Sequence, residues 1–227
     1  MAFNFNPKYC TKEDLYKALD IVRYKRDINR MKGNPNFYKD CASSSDINVL
    51  VHDLLDRELR GFALPHKHTI VLNSLRTDTE KNFDCAHEFV HLFLHKNEDY
   101  NAFDCRDREQ VPYIEWQANE GAAEILIPYR TFIPEFLAGF HNCTNKQEYW
   151  KLINYFSSKH NVTHSVVRNR IDSLKYEINQ YENGIKIANL QILSSRQQQA
   201  NNIYIPSYHN RFRTNKKAPT LRQQCKG

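Results

Sequence analysis

The run Phe83 to His95, FDCAHEFVHLFLH, constrains the chain more than any other stretch, because it sets His87, Glu88 and His91 inside a segment otherwise fit only for a core. On an α-helix, residues four apart project from one face about 6 Å apart along the axis. The imidazoles of His87 and His91 can therefore converge on one small cation, and two imidazoles suit zinc. Glu88 stands one step round the same helix, where it can reach a water at such an ion, the position of a general base. Thr77 followed by Glu80 forms a capping box that starts this helix. Phe89, Val90, Leu92, Phe93 and Leu94 leave little of its surface for water, so both histidines are expected to be buried.

A catalytic zinc needs three protein ligands and an open position, so a third ligand must come from elsewhere. His95 is eight residues from His87, about 12 Å along the axis, too far for one ion to touch both and His91 as well. A third histidine after a glycine turn is also excluded, since Leu94 and Asn97 stand where that pattern needs Gly and His. Three carboxylates, Glu115, Glu120 and Glu124, lie on the next helical segment, EWQANEGAAEILIP. With Glu115 as zero, Ala118, Asn119, Ala122, Ile125 and Leu126 share its stripe, whereas Glu120 and Glu124 lie about 140° and 180° away. Glu115 thus faces the core, small alanines allow close approach of the two helices, and Asn119 is placed to support a ligand histidine.

FDCAHEFVHLFLH followed by EWQANEGAAEILIP resembles the ImmA/IrrE family of zinc metallopeptidases over roughly Ile47 to Leu174. The resemblance implies His87 and His91 as ligands, Glu115 as third ligand and Glu88 as catalytic base. It further implies an endopeptidase whose protein substrate is a helix-turn-helix repressor. Tyr100, Tyr113 and His95 are candidates to stabilise the oxyanion. The alternative, a non-catalytic regulator or toxin–antitoxin component that binds protein or DNA through the same fold, has no use for a base such as Glu88. Gly121 departs from the family, which usually has a large apolar residue there, and so does Cys85, where a hydroxyl residue is common.

Around these two helices the fold is expected to be α+β, mainly helical, with a small antiparallel sheet before the metal helix. GFALP and TIVLN, on either side of Pro65 to His68, are the strands of that sheet, and His66 and His68 in the turn are not expected to bind metal. Thr11 with Asp14 caps a first helix with Leu15, Leu19 and Val22 inside and Arg23, Lys25, Arg26 and Arg30 in solvent. Gly33 to Asp46 reads as a loop, and Ile47, Leu50, Val51, Leu54 and Leu55 mark a second amphipathic helix. Thr131 to Phe140 and Asn145 to Lys159 are further helices. A restart at Thr163 then makes a helix-turn-helix-like pair near 145–176, with Arg168 and Arg170 exposed.

The formal net charge is +6, but residues 194–227 hold seven Lys or Arg and no acid, so the first 193 residues carry −1. One domain over 1–193 and a basic, flexible tail over 194–227 follow, with nucleic-acid contact the minor reading of the tail. No apolar run reaches the roughly 20 residues of a membrane span and the N-terminus has no signal pattern, so the chain is expected in the cytoplasm. Cysteines at 10, 41, 85, 105, 143 and 225 include no CxxC pair, which fits reduced thiols, with Cys85 an ordinary buried one.

Overall fold

The computed structural model describes residues 10–26, 33–95, 103–104 and 112–212. Helix α1 (Lys12–Lys25) begins at the capping box of Thr11 and Asp14 and buries Leu15 and Leu19. A short helix α2 (Phe37–Ala42) follows, within the segment expected to be a loop, and it exists because Phe37 and Cys41 bury its inner side. The expected helix over Ile47 to Leu55 is instead strand β1 (Asn48–His52), which pairs in parallel with the strand beginning at Thr69. Most of β1 is exposed, so it shows no alternation, and its apolar residues imitate a helical stripe. Strands β2 (Gly61–Leu64) and β3 (Thr69–Asn73) form the expected antiparallel pair around a single 3-10 turn, Pro65–Lys67.

Helix α3 (Asp78–Leu94) starts at Thr77 with both halves of its capping box made. The two-residue strand β4 (Phe103–Asp104) completes a sheet of order β1-β3-β2-β4. The sheet is thus antiparallel except at its β1 edge. The rest is helical: α4 (Pro112–Leu126), α5 (Tyr129–His141), α6 (Lys146–His160), α7 (His164–Ser173), α8 (Lys175–Glu182) and α9 (Ser195–Ala200). Asn145 and Thr163 cap α6 and α7 as expected for the helix-turn-helix-like pair. The architecture is α+β and mainly helical, and among the described residues no helix is long and apolar enough to cross a membrane.

Two expectations of exposure are overturned by one buried charge network. Arg23 and Arg170, placed in solvent by helical phase, are 2% and 1% exposed. The Arg170 guanidinium donates to Glu120 at 2.8 Å, to the Tyr16 hydroxyl at 2.7 Å and to the Ile127 carbonyl at 3.0 Å, and it pairs with Glu124. Arg23 meets the Glu124 carboxylate at 3.5 Å, and Lys12 meets Glu177 at 3.1 Å and the Ser173 carbonyl at 2.7 Å. Three cations thus face three carboxylates across α1, α4, α7 and α8. Burial opposes ionisation of Glu120, but Lys12 and Arg170 outweigh it and hold its carboxyl below the usual range.

The segment after Leu193, expected to be a free tail, packs on the domain as far as Phe212. Tyr208 is 1% exposed, its ring 5.8 Å from Phe136 and 5.3 Å from Phe140, and its hydroxyl donates to Glu182 at 2.8 Å. Phe212 packs on Phe140 and Tyr149, and Ser207 donates to Asp172 at 2.6 Å. A few aromatic anchors therefore order a polar stretch whose average composition predicts the opposite. Residues 213–227, which hold most of the tail's charge, lie outside the described residues. Tyr208→Ala is expected to cost about 3 kcal/mol, lowering the melting temperature by roughly 6–12 °C in a thermal scan. An unchanged melting temperature would show that the segment contributes nothing to the fold.

Candidate metal centre

Helices α3 and α4 meet where side chains are smallest. Ala118 and Ala122 are fully buried, and a Cβ at Gly121 would come 2.8 Å from Val90 Cγ2, so a larger residue there would push the helices apart. This close approach brings Glu115 in the first turn of α4 against the histidines of α3. His87 Nε2 and His91 Nε2 lie 3.1 Å apart. Glu115 Oε2 is 3.4 Å from His87 Nε2 and its Oε1 is 3.3 Å from His91 Nε2. A tetrahedral ion with ligand bonds of about 2.0–2.1 Å sets its donors roughly 3.3–3.4 Å apart. Two imidazoles and one carboxylate at these separations therefore fit zinc in both chemistry and size.

The electrostatics favour a cation at this point. Burial works against charge on His87, but the bond to Glu115 and the field of Glu88 outweigh it and raise its pKa. Burial pushes the His91 imidazole down to about 4, so it is neutral near pH 7. Burial opposes ionisation of Glu115 too, but both histidines outweigh it and hold the carboxyl well below the usual range. Glu88 is fully buried on α3 beside His87, and Glu115 keeps 24% of its side chain exposed, so the centre is reached from the α4 side.

Outer support comes from residues other than the one expected. Asn119 is exposed and its amide donates to the Glu115 carbonyl at 2.8 Å, because its side chain turns back along α4. His95, fully buried, takes the supporting place behind His91: the two Nδ1 atoms are 3.0 Å apart, and His95 Nε2 lies 2.9 Å from Gln117 Oε1. Burial brings His95 down to about 3, so it is neutral. The Gln117 oxygen can only accept, which puts the His95 proton on Nε2 and leaves its Nδ1 to accept from His91 Nδ1. The Nε2 lone pair of His91 then faces His87 and Glu115. The i, i+4 spacing of His91 and His95 is the available signal, since it brings their rings together edge to face whatever each one binds.

Other candidates separate from the centre. The Tyr113 hydroxyl donates to the Cys10 carbonyl, and Tyr100 lies outside the described residues. His66 and His68 are exposed in the turn between β2 and β3, and among the described residues only His87, His91 and Glu115 group as metal ligands could. Glu120 and Glu124 do lie off the Glu115 stripe, yet they are buried in the charge network rather than solvated. Cys85 is fully buried beside Cys41.

Glu115→Ala should lose metal in elemental analysis, whereas Glu120→Ala should keep it while losing stability, because one buried carboxylate facing Arg170 and Lys12 is removed. Gln117→Leu should weaken metal affinity about 10–100-fold in a chelator competition, because it removes the group that sets the His95 tautomer. Metal loss in Glu120→Ala with none in Glu115→Ala would contradict the geometry.

Comparison with known proteins agrees with this architecture. An uncharacterised protein of Bacillus subtilis strain 168, YqaB, is 29% identical over 123 residues, which is 51% of this chain and 58% of that protein. A Mycobacterium tuberculosis transcriptional regulator is similar in fold, with a TM-score of 0.50 and 15% identity over 74% of this chain and 48% of that one. The chain thus spans about half the length of the relatives it matches. Residues 42–172, more than half of the chain and both helices of the centre included, match the peptidase family described as the IrrE N-terminal-like domain, and the chain belongs to that family.

Proposed function

We propose that the protein is a zinc-dependent endopeptidase in which His87, His91 and Glu115 hold the metal and Glu88 is the catalytic base. The observation that carries this reading is the set of three donor separations, 3.1, 3.3 and 3.4 Å, around a point flanked by a buried carboxylate on the same helix. Zinc in such a setting supplies Lewis acidity that activates water near neutral pH and polarises the scissile carbonyl. Glu88 takes the proton that the attacking water gives up and returns it to the departing amine. His95 and Gln117 hold His91 in the tautomer that keeps Nε2 free of a proton, and Glu115 supplies the negative charge that offsets the cation. The substrate is a protein, with a helix-turn-helix repressor the class carried over from the resemblance.

Glu88→Gln separates the base from the ligands. It should retain zinc and lose about 10²–10⁴-fold in cleavage of a degenerate peptide library followed by mass spectrometry. Equal cleavage by the variant and the wild type would remove Glu88 from the chemistry, and a zinc-free wild type would remove the metal.

A further inference from the structure

A cleft of about 850 Å³ opens beside the metal centre between α3, α4 and α7. Its near end is lined by Trp116 and Asn119, which follow Glu115 on α4, and by Phe83 and Asp84, one turn before His87 on α3. Its floor is the Arg170–Glu120 pair, both more than nine-tenths buried. The far wall is α7, with Ser165 and Asn169 exposed toward it, and the segment that follows α8 adds Ser195 and Ser207. The near end therefore offers two aromatic rings, Phe83 and Trp116, among charged and amide groups, and the far end presents hydroxyls and amides.

This arrangement gives a different meaning to α7, the second helix of the helix-turn-helix-like pair. A helix that reads duplex DNA must stand convex and in a positive field, since phosphate neutralisation dominates such binding. Here its polar face lines a concave surface with equal numbers of cations and carboxylates, four of each. Such a surface repels phosphate as much as it attracts it. It suits a neutral polypeptide, whose amides and polar side chains find partners along the whole wall.

We propose that this cleft holds the substrate polypeptide to one side of the scissile bond, with an apolar side chain against Phe83 and Trp116 and hydrogen-bonding side chains against Ser165 and Asn169 of α7. The inference rests on the peptidase reading and adds the specificity wall. Ser165 and Asn169 are positioning residues for substrate and touch no reacting group.

The test compares zinc-loaded wild type with Asn169→Leu, Ser165→Leu and Lys151→Leu, the last exposed on α6 and outside the cleft. Each cleaves the same degenerate peptide library, and the products are sequenced. Asn169→Leu and Ser165→Leu should keep melting temperature, zinc content and kcat and raise KM about tenfold for the best wild-type sequence. They should also replace polar by apolar preference on one side of the cut, while Lys151→Leu changes nothing. Unchanged preferences in both α7 variants would overturn the cleft assignment and leave the peptidase reading standing. If the wild type cleaves nothing, the peptidase reading fails and the cleft is judged by capture of the library on immobilised Glu88→Gln protein. Retention of polar peptides that is lost when Asn169→Leu is added supports the cleft, and no retention overturns it. Salt-dependent binding of duplex DNA that Asn169→Leu abolishes, without peptide retention, would also overturn it and make α7 a nucleic-acid reader.

Discussion

Glu120 and Glu124 paired with Arg170 in the core are the interaction on which the rest of the structure depends, because they fix the rotation of α4. That helix is buried on two sides. One turns Glu115 toward the histidines of α3, and the other turns Glu120 and Glu124 toward Arg170, Lys12 and Arg23. Slipping α4 by one residue would rotate it about 100°. Every charged pair would then break at once, and a buried charge that loses its partner costs about 3–5 kcal/mol. Balanced buried ions add little net stability, but they make wrong registers expensive, and the register is what places Glu115 within 3.4 Å of both histidines.

The same helix must also come close to α3. Ala118 and Ala122 are fully buried on α4, and at Gly121 a single added carbon would collide with Val90 of α3. Close packing by small residues supplies the distance between the helices, and the ion network supplies their rotation. Neither alone would bring two imidazoles and a carboxylate to the separations a tetrahedral ion imposes. The Gly121 departure from the family is thus explained locally by the Val90 contact.

What could be read from the chain was local. The HExxH spacing, the capping boxes at Thr11 and Thr77, the restart at Thr163 and the hairpin around Pro65 all depend on residues within one turn or one strand pair. What was misread depends on partners far along the chain. β1 exists because β3 accepts it, 21 residues later, so its own pattern carries little of the signal. Arg23 and Arg170 look solvated until Glu124 and Glu120 are seen opposite them, about 101 and 50 positions away. The polar stretch after Leu193 reads as a tail because composition averages over it, whereas Tyr208 and Phe212 alone decide where it lies. Within the centre, Asn119 had the right phase to support a histidine, but its short side chain satisfies itself on the backbone of its own helix, and that leaves the role to His95.

Three glutamates on one helix meet three environments, and the differences follow from angle and neighbour rather than from residue type. Glu115 lies near the solvent end of α4, where two histidines stabilise its charge without neutralising it permanently, so it can serve a metal. Glu120 has Lys12 and Arg170 fixed against it and a tyrosine hydroxyl beside it, which holds its charge in place and removes it from competition for the ion. Glu124 is closed off by Arg23, Arg170 and the backbone amide of Tyr129. A second free carboxylate near the centre would offer any ion bound there an additional ligand and close a coordination position that a three-ligand site leaves open. Pairing the two deeper glutamates with arginine and lysine therefore does more than anchor the helix, because it leaves Glu115 as the one α4 carboxylate turned to the histidines.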